Sequence, residues 1–421
     1  MTTSNDHPSI HPTKGERVMT KKTKLNRRRF LAAAGTAVAA PYIIPSGVIA
    51  APGRTSPNDK ITVALIGSGG RGMGLMRELS SSQIKDKVNY AAFCDVDENR
   101  LYRAVRWAAD NLKAFGATPY RDYRRLLQRK DIDMVVIGTP DHWHGLHVVH
   151  SAESGKHIYC EKPACCTIEE GKAMIRAVNE NNVACQIGSQ GRSQPEAYQA
   201  HRYLVNGNIG DIDYVWAFHY PSPVDNNPVP DQAPPDNLDW DLWLGPLRWR
   251  EYNPKYLHGV FRWIMESGGG QIRDRGAHVM SCAKYWMGAD GTGPVTIEAV
   301  GQRPEKGLWD CATTMTVYYT FKDPDWTLVW DQRGGDIGPP GEERGPGERR
   351  ISRPGYGAVY YGSKGTFTHW GGDGGTWAER KAREWEPGPG AKDVYESPGH
   401  FEDLYHQGIV KGEKTIMNIE A

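Results

Sequence analysis

One stretch limits the fold of this chain more than any other. An apolar run at Ile61–Ile66 leads directly into a glycine-rich turn with the pattern G-x-G-x-x-G, and a second apolar run ends at Asp95. A strand, this turn, a helix and a second strand that ends in an acid are typical of a βαβ unit that binds a dinucleotide. We therefore predict such a unit near the start of the folded chain.

Each residue of the turn has a predicted task. Gly67 permits the tight turn from strand to helix, Gly69 lets the backbone approach a diphosphate, and Gly72 lets helix and strand pack closely. Gly70 and Arg71 open the helix, whose unpaired N–H groups and positive dipole end face the diphosphate.

Asp95 indicates which dinucleotide is bound. Its carboxylate can accept hydrogen bonds from both hydroxyls of an adenosine ribose, whereas a 2′-phosphate would meet a negative charge. We predict NAD as the cofactor. NADP is less favoured, and Arg71 is the residue that could reach its additional phosphate.

Length and charge narrow the class of protein. The chain has 421 residues, enough for two domains, and its formal net charge is +1. This balance predicts no nucleic-acid partner and no anionic membrane surface.

The N-terminus has the features of an export signal. Asn26–Leu31 (NRRRFL) resembles the twin-arginine signal, and the mild apolar run Ala32–Ile49 ends in small residues that suit cleavage. We predict that residues 1–58 are a signal peptide and linker, read by the twin-arginine export machinery, with Met1 or Met19 as the start. The alternative is an uncleaved membrane anchor. The mature protein would be periplasmic or otherwise extracytoplasmic, with its cofactor loaded before export and tightly held.

The rest of the chain divides into two parts with different hydrophobic patterns. In residues 59–190, unbroken apolar runs alternate with amphipathic stretches, which predicts an α/β Rossmann domain whose parallel sheet is covered on both faces. In residues 191–421, the strand-like segments alternate apolar and polar residues. We predict a substrate-binding α+β domain with an open, largely antiparallel sheet, whose exposed face joins subunits of a homo-oligomer.

Two further motifs carry groups suited to proton transfer. Lys162, in the run Cys160–Pro163 (CEKP), follows a strand of the first domain and could donate a hydrogen bond to a reacting oxygen. Asp274 and His278 lie four residues apart, which would place them on one helical face, where a carboxylate can orient an imidazole and raise its basicity. The alternatives are a surface Glu-Lys turn and an ordinary pair on a helix surface.

Aromatic and histidine residues allow two other interpretations. The chain has 14 Trp, and some of them could stack on sugar rings or simply fill a core; the candidates are Trp216, Trp240, Trp243 and Trp263. A histidine cluster has spacings that could suggest zinc, but no carboxylate or cysteine completes the set, so we predict no metal site. Its members are His142, His144, His147 and His150.

Together the motifs resemble one family, the Gfo/Idh/MocA oxidoreductases, from about Lys60 to the end of the chain, and within it an exported subgroup with a twin-arginine leader. The resemblance rests on Gly67–Gly72, Asp95, Thr139–His144, Glu161–Pro163, Trp240–Pro246 and Gly268–His278.

The resemblance implies roles for particular residues. Lys162 would be the catalytic lysine beside the nicotinamide, His278 the general base, and Asp274 its orienting partner or a ligand of a sugar hydroxyl. The remaining implied cofactor contacts are Pro140, His144, Glu161 and Arg192. Many relatives have an acid where this chain has Ser281. Relatives also continue into another helix after the position of Ala421, so the chain would be truncated at its C-terminus.

These expectations combine into one predicted activity. The protein would be an NAD-dependent oxidoreductase that transfers hydride between a hydroxyl carbon of a sugar, polyol or glycoside and a tightly held nicotinamide cofactor. One alternative is a redox-neutral glycoside hydrolase, in which transient oxidation, elimination, hydration and re-reduction regenerate NAD. The other alternative is a non-catalytic binding protein that has kept the fold.

Overall fold

A computed structural model describes residues 60–334, 356–371 and 376–421 of the chain. The predicted signal peptide and linker, residues 1–58, lie outside these ranges. None of the helices described is both long and apolar enough to cross a membrane.

The first sheet has six parallel strands in the order β3-β2-β1-β4-β5-β6. This is the strand order of a doubly wound dinucleotide-binding fold. The strands are β1 (Ile61–Ile66), β2 (Val88–Cys94), β3 (Thr118–Tyr120), β4 (Met134–Ile137), β5 (His157–Glu161) and β6 (Cys185–Gly188).

Both faces of this sheet are buried, as the unbroken apolar runs predict. Along β1, Val63 and Leu65 pack into the core on one face, while Ala64 and Ile66 pack into the core on the other. The covering helices are α1 (Gly70–Ser81), α2 (Glu98–Leu112), α3 (Tyr123–Leu127), α4 (His144–Glu153) and α5 (Ile168–Glu180).

Side-chain caps fix where two of these helices begin. Asp97 accepts hydrogen bonds from the backbone N–H groups of Asn99 and Arg100 at the start of α2. Thr167 accepts one from Glu170 at the start of α5. Each cap satisfies backbone donors that have no partner inside the helix.

The second sheet has seven strands in the order β13-β12-β11-β7-β10-β9-β8. All neighbouring pairs are antiparallel except β7 and β10, which confirms the predicted largely antiparallel sheet. The strands are β7 (Ile212–Phe218), β8 (Thr296–Gln302), β9 (Thr314–Lys322), β10 (Asp325–Asp331), β11 (Gly357–Gly362), β12 (Gly365–Gly371) and β13 (Thr376–Ala378). The helices of this part are α6 (Pro195–Val205), α7 (Trp240–Leu244), α8 (Gln271–Asp274), α9 (Gly276–Trp286) and α10 (Arg380–Arg383).

The end of the chain returns to the first sheet. Helix α11 (His400–Asp403) and a π-helix at Leu404–Val410 place Phe401 in the core of the first domain, with Leu404 and Tyr405. The backbone N–H of Ile187 donates to the carbonyl of Met417 over 2.9 Å. The prediction that residues 191–421 form one domain therefore needs correction, because the last segment packs on the Rossmann sheet.

Candidate active site

A cavity of about 890 Å³ lies where the carboxyl ends of the first sheet meet the second domain. This is the edge of a parallel sheet at which ligands bind in open α/β folds. Most of the predicted site residues line it: Gly67, Gly69, Gly70, Arg71, Asp95, Pro140, Glu161, Lys162, Asp274 and His278.

The glycine-rich turn is shaped by close backbone contacts. Gly67 has a φ of +91°, and a Cβ there would lie 2.6 Å from the backbone nitrogen of Thr139. A Cβ on Gly72 would lie 1.9 Å from the carbonyl oxygen of Gly67, so this position allows helix and strand to meet. Gly72 therefore packs α1 onto the turn and does not itself form part of the cavity wall.

Asp95 is held in place by the backbone. Its two carboxylate oxygens accept hydrogen bonds from the N–H groups of Ser68 over 2.7 Å and Asp97 over 2.9 Å. Burial raises the pKa of Asp95 to about 6, against these hydrogen bonds and the charge of Arg100. The carboxyl group thus has a fixed orientation in the wall, where an adenosine ribose would bind.

Arg71, which is partly exposed, and the buried Glu161 form an ion pair beside the turn. Arg71 Nε donates to Glu161 Oε1 over 2.7 Å, and Arg71 Nη1 donates to Glu78 over 2.8 Å. Arg71 Nη2 is buried and has no hydrogen-bond partner among the described residues. An orphaned guanidinium N–H beside the open N-terminus of α1 suits a dinucleotide diphosphate or ribose, so these residues fit NAD.

Lys162 and Asp274 join the two domains at the cavity. Lys162 Nζ donates to Asp274 Oδ1 over 2.7 Å and to the Asp274 carbonyl over 2.8 Å. Arg262 Nε donates to the same Oδ1 over 3.0 Å, and Arg275 Nε lies 3.5 Å from Oδ2. Burial opposes ionisation of Asp274, but Lys162 and Arg262 lower its pKa below the usual range.

His278 lies in the wall of the cavity. The side chain is fully buried, and neither ring nitrogen has a hydrogen-bond partner among the described residues. Burial, together with the charge of Lys162, holds the pKa of His278 well below its usual range. The ring is therefore neutral at neutral pH, with a lone pair that can accept a proton.

The predicted Asp274–His278 pair does not form as a pair on one helix. The helix is interrupted at Arg275, which ends α8 and begins α9, and the Asp274 carboxylate is directed to Lys162 instead. Asp274 thus fixes the lysine rather than the tautomer of His278. The Asp274 carboxylate is contacted by three cations, Lys162, Arg262 and Arg275. The four-residue spacing of Asp274 and His278 could not predict these contacts.

Two implied cofactor contacts lie behind the wall. His144 Nδ1 lies 2.7 Å from the Pro163 carbonyl and Nε2 lies 3.0 Å from the Thr139 carbonyl, so His144 links the two loops that carry Pro140 and Lys162. Neither His144 nor Arg192 lines the cavity.

Arg192 has a structural role in this arrangement. Its guanidinium is buried and donates to both carboxylate oxygens of Asp290, over 2.5 and 2.8 Å, and its Nε donates to Ser281 over 2.7 Å. The implied contact between Arg192 and the nicotinamide end is therefore corrected, because these partners occupy the side chain.

Two acceptors in the wall were missed as site residues. Asp141 and Gln271 are both buried, and Asp141 Oδ2 and Gln271 Oε1 have no hydrogen-bond partner among the described residues. Burial raises the pKa of Asp141 to about 7, although Arg262 and Lys162 act against it. The available signal was the same for both: Asp141 lies in the motif Thr139–His144 and Gln271 in the motif Gly268–His278.

The tryptophan candidates divide by position. Trp243 and Trp263 line the cavity. Trp240 stacks on Trp243 with ring centroids 4.9 Å apart, and Trp216 lies in the second sheet, where its Nε1 donates to Asp331. The described residues contain no group of three or more His, Cys, Asp or Glu side chains placed to hold a metal ion.

The fold and the cavity together define a class: a two-domain, Rossmann-type oxidoreductase. The chain matches the family described as "Oxidoreductase family, NAD-binding Rossmann fold" over residues 61–189 and the C-terminal alpha/beta domain of the same family over residues 205–336. Together the matches cover more than half of the chain. It belongs to the Gfo/Idh/MocA oxidoreductase family, which confirms the prediction of an NAD-binding first domain.

Several curated proteins are similar to parts of the chain. A levoglucosan dehydrogenase of Pseudarthrobacter phenanthrenivorans is 31% identical over 183 residues, 43% of this chain and 40% of that protein. A scyllo-inositol 2-dehydrogenase (NAD(+)) of Bacillus subtilis is 38% identical over 148 residues, 35% of this chain and 42% of that protein. A glycosyl hydrolase family 109 protein of Stenotrophomonas maltophilia is 27% identical over 243 residues, 56% of this chain and 51% of that protein. The chain thus spans about half or less of the length of these relatives.

Solved structures share the fold over most of the chain. The complex of a levoglucosan dehydrogenase with NADH and L-sorbose has a TM-score of 0.56 at 18% identity, covering 86% of this chain and 92% of that one. An aldose-aldose oxidoreductase of Caulobacter crescentus has a TM-score of 0.54 at 17% identity, with the same coverage.

Proposed function

We propose that this protein is an NAD-dependent oxidoreductase that acts on a CH–OH group of a sugar, polyol or glycoside. One observation carries the proposal. Lys162 of the first domain and His278 of the second line one cavity, and both ring nitrogens of His278 are buried there without a hydrogen-bond partner in the part of the chain that the structure describes. A buried imidazole with both nitrogens open is arranged to exchange a proton with a bound molecule.

The residues divide the work of alcohol oxidation between them. His278, neutral at neutral pH, accepts the hydroxyl proton. Lys162 uses two N–H groups on Asp274 and has a third for the substrate oxygen. Gly67, Gly69 and Arg71 would hold NAD, which when bound supplies the hydride acceptor.

The wall also supports a polyhydroxylated substrate. Asp141 Oδ2 and Gln271 Oε1 are buried acceptors to which none of the described residues donates, and a buried acceptor is costly unless a donor reaches it. Hydroxyl groups of a sugar or polyol would supply those donors. Trp243 and Trp263 give the same cavity flat apolar surface for the ring.

A second activity is supported by the similarity to glycosyl hydrolase family 109 proteins. In a redox-neutral glycoside hydrolase, oxidation of a ring hydroxyl acidifies the neighbouring C–H, elimination releases the substituent, and hydration and re-reduction complete the cycle. The same residues would serve this reaction, because its first step is also oxidation of a hydroxyl carbon.

One experiment separates the two activities. Purified protein is given NAD with levoglucosan, myo-inositol and a set of nitrophenyl glycosides, while NADH absorbance and nitrophenol release are followed together. We expect NADH in proportion to oxidised substrate. Nitrophenol release without net NADH would assign the hydrolase, and neither signal with any compound would contradict both.

We also propose that the protein is exported by the twin-arginine machinery with its cofactor bound. The motif Asn26–Leu31 supports this proposal, and a charged cofactor is best loaded where NAD is abundant. Fractionation of cells that express wild type and an Arg27→Lys/Arg28→Lys/Arg29→Lys variant tests it. We expect the wild type in the periplasm and the variant in the cytoplasm; equal distributions would contradict it.

We further propose a homo-oligomer formed through the second sheet. Strand β8 is exposed along its whole length, and Val295, Ile297 and Val300 are 57%, 60% and 68% exposed. Exposed apolar residues on an edge strand favour pairing with another chain. Light scattering should show an oligomer that Ile297→Lys/Val300→Lys dissociates; a wild-type monomer would contradict the proposal.

A further inference from the structure

A closed ring of six side chains connects the cofactor cavity to the C-terminal segment. Starting at Arg71, the polar contacts run to Glu78 over 2.8 Å, from Glu78 to His400 over 3.4 Å, and from His400 to Tyr159 over 2.7 Å. Gln190 Nε2 then donates to Tyr159 over 2.8 Å and to Glu161 over 2.7 Å, and Glu161 closes the ring on Arg71 over 2.7 Å.

The hydrogen-bond chemistry gives the ring a direction. Because Gln190 donates to the Tyr159 hydroxyl, that hydroxyl is free to donate its own proton to Nδ1 of His400. When the Tyr159 hydroxyl donates to Nδ1, the imidazole carries a proton on Nε2, which faces Glu78. His400 thus connects the Tyr159 hydroxyl to the Glu78 carboxylate through its two ring nitrogens.

Charge and burial make the ring sensitive to its members. Partial burial opposes ionisation of Glu78, but the hydrogen bond from His400 and the charge of Arg71 lower its pKa to about 2. Glu161, Tyr159 and Gln190 are all at most 4% exposed. Removal of one of the six side chains would therefore leave buried polar atoms without hydrogen bonds. The remaining side chains would then rearrange, because water does not reach these buried atoms to take the place of the lost partner.

Several contacts dock the segment that carries His400, and the His400 ring takes part by packing against Tyr159 and Phe401, with ring centroids 5.3 and 4.5 Å apart. Its carbonyl accepts a hydrogen bond from Gln186 Nε2 over 2.7 Å, and its neighbour Phe401 is buried against Tyr159. The backbone contact and Phe401 therefore hold α11 in addition to the His400 ring.

We propose that His400 is a positioning residue for the cofactor: through Tyr159 and Glu78 it fixes Arg71 and Glu161 at the cavity, so that the C-terminal segment sets the affinity for NAD. The inference concerns cofactor binding, which the first domain supports irrespective of the substrate. His400 itself lies outside the two ranges that match the family, because α11 follows residue 336.

The test is the dissociation constant of NADH, measured by fluorescence on protein freed of nucleotide. His400→Leu removes the polar contacts of this residue with Tyr159 and Glu78. It should weaken NADH binding about tenfold, the loss expected when a charge-assisted hydrogen bond is disturbed. His400→Gln can accept from Tyr159 and donate to Glu78, so it should recover most of that loss. Tyr159→Phe breaks the ring at another member with little change in volume and should weaken binding similarly.

A matched control lies two residues away. Glu402 Oε1 accepts a hydrogen bond from the Gln83 N–H and docks the same helix without joining the ring. Glu402→Ala should lower the melting temperature while the NADH dissociation constant stays within about twofold of wild type. The proposal is overturned if folded His400→Leu or Tyr159→Phe binds NADH like wild type. It is equally overturned if Glu402→Ala weakens binding as much as His400→Leu.

Discussion

Asp274 shows how one side chain decides the behaviour of its neighbours. Its carboxylate receives Lys162, Arg262 and Arg275, so a single negative charge orients three cations around the cavity. In that arrangement the ring nitrogens of His278 have no hydrogen-bond partner among the described side chains, Asp274 included.

The sequence predicted which residues line the cavity better than it predicted their pairings. Lys162 and His278 could be recognised because short motifs surround them. The meeting of Lys162 and Arg262 on the Asp274 carboxylate could not be recognised, because Lys162 and Arg262 come from distant segments of the chain. The spacing of Asp274 and His278 suggested an interaction that the break at Arg275 prevents.

The buried carboxyl of Asp141 gives a prediction about pH. Burial raises the pKa of Asp141 from 3.8 to about 7, so between those values the folded protein holds a proton that the unfolded chain has released. The protonated Asp141 carboxyl contributes fully to stability below the pKa that Asp141 has in the unfolded chain. This contribution is lost as the pH rises through the pKa that Asp141 has in the folded protein. Asp141→Asn should therefore increase the free energy of unfolding above about pH 7, by roughly 2–4 kcal/mol.

Urea unfolding of wild type and Asp141→Asn between about pH 4 and pH 8 measures this effect. Asp86→Asn, at an exposed position, is the control and should follow the wild-type curve. Parallel curves for wild type and Asp141→Asn would show that the Asp141 carboxyl is not destabilised by burial.

At the scale of the elements, the strands of the first sheet were predicted most closely. The apolar run Ile61–Ile66 coincides with β1, and β2 ends at Cys94, directly before the Asp95 at which the second apolar run ends, because burial on both faces favours largely apolar strands. Short elements were less predictable. Strand β3 has three residues, and its position depends on pairing with β2 rather than on its own sequence.

The packing of α1 on the turn gives a second prediction. A Cβ on Gly72 would lie 1.9 Å from the Gly67 carbonyl oxygen, so the backbone would have to move. Gly72→Ala should cost roughly 3 kcal/mol of stability and weaken NADH binding through the distorted turn.

Gly74→Ala, in the same helix, is the matched control. A Cβ there meets only Arg71 Nη1, at 3.7 Å, and alanine favours a helix interior over glycine by about 0.5–1 kcal/mol. Gly74→Ala should therefore be neutral or stabilising. Equal urea midpoints for the two variants would contradict the close packing assigned to Gly72.

For the whole molecule, the main surprise is the path of the C-terminal segment. Contacts such as that between Ile187 and Met417 join residues far apart in sequence, and no local pattern predicts them. The segment completes the core of the first domain, and the cavity lies between that domain and the second. The two domains therefore depend on one another through both the site and the chain end.

Phe401 tests the contribution of this segment. It is 1% exposed and packs on Tyr159 with ring centroids 4.6 Å apart. Phe401→Ala should lower the free energy of unfolding by about 3–5 kcal/mol, because it leaves a cavity in the first core. Phe115→Ala, at a position 77% exposed, should change it by less than about 0.5 kcal/mol. Similar urea midpoints for the two variants would contradict the docking of the segment.

The central claim is that a lysine from one domain and a histidine from the other act on one reacting centre. The most direct measurement is turnover of Lys162→Met, His278→Asn and the double variant, alongside their NADH dissociation constants. Each single variant should lose roughly 10²–10⁴-fold in turnover, with NADH binding within about twofold of wild type. The double variant should be little worse than the poorer single one, because the two groups act as a unit.

His369→Asn controls for the removal of a buried histidine. His369 is also fully buried, with neither ring nitrogen partnered among the described residues, but it does not line the cavity. It should lose stability and keep its turnover. Wild-type turnover in His278→Asn, or losses that multiply in the double variant, would contradict the joint action of Lys162 and His278.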